Sequence, residues 1–203
     1  MNDRLHRYRS TWKLRGFRRL WADDRASQIV EFALSLPLLV LFVVGIFDFS
    51  GAISLKQKLT NAAREAARVA AADPASDLGS PSGAQPASVL DAFYVVDNYL
   101  ASEKLNDCGL SGTLPTQTGG TLTWVSTVTG CPGGGPSGTL TLTINRGCVK
   151  TQAISGNTVN LVGTCVTILY PYKWQYSSVT GLLGITFIGP TGITTTASAF
   201  NEN

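Results

Sequence analysis

Few residues in this chain could do chemistry. Glu31 stands at the head of an apolar run, in Arg25-Ala26-Ser27-Gln28-Ile29-Val30-Glu31-Phe32-Ala33-Leu34. A carboxylate inside a membrane helix costs up to ~2.5–3.5 kcal/mol at the centre and less near the interface. A passive anchor has no need of it, so one reading gives Glu31 a partner within the membrane. The other is an interfacial Glu favoured by the dipole of a nearby helix N-terminus. The four cysteines, Cys108, Cys131, Cys148 and Cys165, all follow the apolar run. Thiolates can hold zinc, but no two of these are spaced as Cys-x-x-Cys, so disulfide chemistry is favoured. His6, the single histidine, precedes the run, so no His-based triad or histidine metal site can be built beyond it. Gly133-Gly134-Gly135 lacks the lysine and following helix of a phosphate loop. Asp77-Leu78-Gly79-Ser80-Pro81-Ser82 misses an Asp-x-Ser-x-Ser metal motif by one residue. No catalytic residue, metal or cofactor is expected, and the chain is not read as an enzyme.

The element that must position Glu31 is a long helix. From Phe32 to Phe47 there is no charge, and the apolar segment reaches about Leu55 if Asp48 is admitted. About 20 helical residues at ~1.5 Å each cross a bilayer core ~30 Å thick, so residues 27–55 are read as a transmembrane helix. Of 16 basic and 13 acidic residues, eight and three respectively precede Ser27. That basic cluster predicts a cytoplasmic N-terminus rather than nucleic-acid binding, with the remainder outside. The arm of residues 1–26 is either a helix on the membrane surface or a disordered tail. Cleavage as a signal peptide near Ser50-Gly51-Ala52 competes with retention of the helix. Cysteines confined to the outer side agree with the orientation and imply two disulfides.

Past the membrane, Leu55, Leu59, Ala62, Ala66 and Val69 continue the helical spacing to Asp73-Pro74, so residues 56–72 extend the same helix. The whole, residues 27–72, would be about 69 Å long, with Pro37 kinking it. The alanine stripes at Ala62, Ala63, Ala66, Ala67, Ala70 and Ala71 suit docking on the chain's own sheet or against a neighbouring subunit. Residues 73–203 are read as one extracytoplasmic α+β domain. A Pro/Gly/Ser loop leads to a second helix over about 89–104, with Ser88 as its N-cap. Alternating Thr, Val, Leu and Ile predict strands near 121–128, 139–145, 148–154, 159–170 and 192–200, and a short helix over 174–183.

A two-residue hairpin loop at Gly156-Asn157 would set Cys148 directly opposite Cys165 on a non-hydrogen-bonded pair, where a disulfide fits. Cys108 would then join Cys131. Four cysteines allow three connectivities, of which this register favours one.

The run Ser27-Gln28-Ile29-Val30-Glu31-Phe32-Ala33-Leu34-Ser35-Leu36-Pro37, then Gly45-Ile46-Phe47-Asp48-Phe49, then Asn61-Ala62-Ala63-Arg64-Glu65-Ala66-Ala67-Arg68 resembles the TadE-like pilus-assembly proteins. These are pseudopilin or minor-pilin components of the tight-adherence (Flp-type) pilus. The resemblance covers about residues 22–72. It implies a pilin-like fold, with the long helix packed on an antiparallel sheet, and a candidate processing site between Ala26 and Ser27. Ala26 stands where the prepilin pattern has Gly. The resemblance also implies that a new Ser27 ammonium could pair with a neighbour's Glu31. The expected partners are then the membrane and pilin or platform subunits, in a homo- or hetero-oligomer formed through the helix, at the inner membrane and without nucleic acid. The alternative is a membrane-anchored extracytoplasmic binding or adhesion module.

Overall fold

The computed structural model describes residues 24–79, 85–118, 120–131, 138–154, 157–174 and 190–201. The basic arm before Asp24 lies outside the described residues, as does nearly all of the helix expected over 174–183. Trp174 itself is in irregular backbone.

Helix α1 runs unbroken from Asp24 to Ala72. Its composition changes along its length, and the chain divides into two compact units between Ile46 and Phe47. In the first unit every side chain from Ser27 to Val40 is exposed. Pro37 sits inside the helix; lacking an N–H, it leaves the Ala33 carbonyl without its usual donor.

The second unit contains the rest of α1, then α2 (Ala87–Ser102), with a 3-10 turn at Ala75–Gly79 between them. A meander follows: β1 (Thr116–Gln117), β2 (Thr123–Val128), β3 (Leu140–Ile154), β4 (Asn157–Pro171) and β5 (Gly192–Phe200). All neighbours are antiparallel, in the order β1-β2-β3-β4-β5. The fold is α+β, a long apolar N-terminal helix followed by a five-stranded antiparallel sheet.

Alternation decides which face of the sheet is covered. Trp124, Leu140, Leu142, Ile144, Val166, Ile168 and Ala197 point to one side, and with the helices they form the core. From α1 come Leu59, Ala62, Ala63, Ala66, Ala67 and Ala70, and from α2 Val89, Ala92, Phe93, Val96 and Leu100. The spacing of three and four places each set on one helical stripe. The alanine stripes of α1 are spent on the chain's own fold. On the opposite side of the sheet, Thr143, Thr167 and Thr196 form one row, only half-buried or exposed. Burying a side chain such as Phe93 is worth ~1.5–3 kcal/mol, so the helix pair and sheet hold together through this one core.

Two local expectations are corrected. Ser88 does not cap α2. The cap position is Pro86, and the Ser88 N–H donates to Asp77 Oδ2 at 3.0 Å. The acid from the preceding 3-10 turn thus satisfies one of the helix's free N–H groups and suits its positive end. The β3–β4 register also differs, because the pair closing the turn is Ile154↔Asn157, and a bulge between Asn145 and Cys148 shifts the register further down. Cys148 faces Gly163, and Cys165 faces Asn145.

Candidate functional site: the long helix and its anchorage

Glu31 is exposed on α1, with Ile29 (70% exposed), Phe32 (65%) and Leu34 (75%) around it. The chain is already helical at Asp24, so Glu31 lies at least about two turns inside the helix. A helix dipole acts within the first turn, so in the uncut chain it gives Glu31 little support. The Ala26–Ser27 bond lies within α1. The apolar stretch beyond is uncovered, with mean hydropathy 2.5 and 0% burial in its most apolar window. By length and composition this helix could cross a membrane.

Where the second unit begins, the environment of the helix changes. Asp48 is 8% exposed. The Tyr172 hydroxyl donates to its backbone carbonyl and to Oδ1, both at 3.3 Å. Burial, then the Asp48 carboxylate, pushes the Tyr172 phenol above its ordinary range, so it stays a donor. Phe49 packs on Trp174 with ring centroids 5.7 Å apart, and Tyr172 meets Trp174 edge-on at 5.2 Å. Farther along, Thr60 and Thr195 hydroxyls pair at 2.9 Å, and Lys58 reaches Glu103, the residue that caps the end of α2, at 3.0 Å.

The strongest tie is Arg146, only 1% exposed. It occupies the inward position that follows Leu140, Leu142 and Ile144 on β3, beside the bulge. Its Nη1 donates to the Ala70 carbonyl and to Thr164 Oγ1 (2.9 Å), and Nη2 to the Asp73 carbonyl (3.0 Å). Helix α1 has no basic residue in its last turn. Arg146 supplies that charge from the sheet, satisfying terminal carbonyls and complementing the negative end of the dipole. Burial lowers its pKa, while Asp77 and Asp73 oppose the shift. Sequence reasoning missed Arg146, although a charged residue at core parity followed by Gly147 signals both a buried cation and a bulge. Tyr172 was missed as a contact of Asp48 too.

Two disulfides brace the domain. Cys108–Cys131 spans 4.8 Å between Cα atoms and Cys148–Cys165 spans 5.9 Å. The second joins residues offset across the bulge rather than directly opposed. Among the described residues, no group of three or more His, Cys, Asp or Glu is placed to hold a metal.

Residues 26–68 match the family model described as TadE-like protein. No curated protein and no solved structure matches the chain. The match begins at the candidate processing site, includes Glu31 and ends within the alanine stripes of α1. Over residues 26–68 this chain is similar to the TadE-like proteins, a family associated with the tight-adherence pilus system.

Proposed function

We propose that the protein is a structural, pseudopilin-like component of a tight-adherence (Flp-type) pilus assembly or secretion apparatus, assembling through its N-terminal membrane helix. One observation carries this reading: an apolar helical surface exposed all round, broken by the single carboxylate of Glu31. Such a surface belongs in lipid or among other apolar helices. In lipid alone Glu31 is a cost, and among helices it can pair with a cation, offsetting two desolvation penalties together. The cation we favour is the Ser27 ammonium of a neighbouring subunit, exposed by cleavage after Ala26. Partners are pilin or platform subunits. The arm is cytoplasmic, the domain lies outside the inner membrane, and the role is non-enzymatic.

Glu31→Gln should leave membrane insertion intact and abolish pilus assembly. Normal pili from that variant would overturn the proposal. The N-terminal residue of the mature protein, read by mass spectrometry, is expected to be Ser27.

A further inference from the structure

We infer that the corner formed by Tyr172, Lys173 and Trp174 is a second membrane-contact site, seated in the lipid headgroup layer beside the point where α1 leaves the bilayer. The inference rests on the membrane-crossing reading of α1. Counted from Ile29, the ~20 residues needed to cross the hydrocarbon core end at Asp48, which is also the first charge after Glu31. That level is where β4 ends and its continuation meets the helix, Tyr172 donating to Asp48 and Trp174 packing on Phe49. The corner is held in shape. The Tyr172 N–H donates to the Thr191 carbonyl at 3.0 Å, and Trp174 Nε1 to the Pro190 carbonyl at 3.0 Å.

The residue types fit the headgroup layer. Trp and Tyr concentrate there because one part of the ring is apolar and another hydrogen-bonds. Lys173 is exposed between them, and a lysine at this depth can keep its stem among lipid and its ammonium at the phosphates. Phe49 remains 58% exposed despite its contact with Trp174. As sequence, residues 175–189 carry no Asp, Glu, Lys or Arg. A helix alone lets its domain swivel. Two contacts with one bilayer fix how the sheet is presented to neighbouring subunits.

Spin labels on the full-length oxidised protein in phosphatidylcholine–phosphatidylglycerol vesicles test this. Single cysteines are introduced by Lys173→Cys, Val40→Cys and Lys150→Cys, and accessibility to oxygen is compared with that to a water-soluble nickel chelate. The oxygen-to-nickel ratio should be highest at position 40 and lowest at position 150. At position 173 it should lie severalfold above that at position 150. If position 40 reads as lipid while 173 matches 150, the corner is in water and the inference fails alone. If 173 is open in vesicles yet shielded in native membranes, a protein covers it and the inference also fails. If position 40 reads as water, the membrane-crossing reading falls and takes this one with it.

Discussion

Two stretches of one helix, residues 27–46 and 55–71, meet opposite environments. In the first, apolar side chains cover the whole circumference, from Leu34 at 75% exposed to Val43 at 43%, with Leu41 and Val44 half-buried. In the second, Leu59, Ala62, Ala63, Ala66, Ala67 and Ala70 are wholly buried, while Arg64 and Arg68 on the other side are exposed. Helical propensity suits both. The difference lies in the apolar surface: a stripe is satisfied by one sheet, whereas a full circumference requires a solvent of its own. By length and composition the first stretch could cross a membrane, and the second packs on the chain's own domain.

The comparison breaks most sharply at Arg146. Arg146→Ala removes the donor to the Ala70 and Asp73 carbonyls and leaves the nearby acids without a cation. A loss of ~3–5 kcal/mol in domain stability is expected from two or more hydrogen bonds to a charged group at ~1.5–3 kcal/mol each, measured by denaturant unfolding in detergent, with membrane insertion unchanged. A loss below ~1 kcal/mol, the ordinary range of one hydrogen bond, would mean that Arg146 does not tie the helix to the sheet. The reciprocal change is Val40→Arg. It should raise the cost of insertion by ~2.5–3.5 kcal/mol while leaving the domain's unfolding midpoint in place. A shifted midpoint would show that the two stretches are not independent.

Removing the bulge-spanning disulfide with Cys148→Ser and Cys165→Ser should cost ~2–4 kcal/mol, again in the domain alone. The smallest effect is a pH trend. Burial raises the pKa of Asp73, helped by Asp91, and burial with Asp107 raises that of Asp97. Folded carboxyls with raised pKa bind protons more readily than unfolded ones, so their contribution improves as pH falls. Between pH 7 and the ordinary Asp range near ~3.9, Asp73→Asn with Asp97→Asn should remove a small stabilising trend. An identical pH profile in the double variant would contradict it.

Much of this division was legible in the sequence. The uncharged run from Phe32 to Phe47 and the spacing of Leu55, Leu59, Ala62 and Ala66 mark both halves of α1, because hydrophobic periodicity reports burial directly. Strand alternation located β5 and most of β2 and β4 for the same reason, but split β3 in two at 145/148, where the structure has one strand with a bulge. The hairpin register was less accessible. The Gly156-Asn157 turn chemistry looked favourable, yet the turn closes at Ile154↔Asn157 and the bulge at Arg146-Gly147 moves Cys148 off Cys165. Ser88 resembled a cap locally, but Asp77 reaches the Ser88 N–H from outside α2. Both cases were settled by residues brought together by the fold. Arg146 belongs with them, since its partners at Ala70 and Asp73 come from a distant part of the chain.

The most direct test is photocrosslinking in cells from a benzoylphenylalanine at Leu34, one turn beyond Glu31 and exposed on the same apolar stretch. Crosslinks to pilin or platform subunits are expected from the otherwise native chain, and their loss is expected when Glu31→Gln is combined with the probe and the protein remains membrane-inserted. Equal crosslinking with and without the Glu31 carboxylate would contradict assembly through that residue.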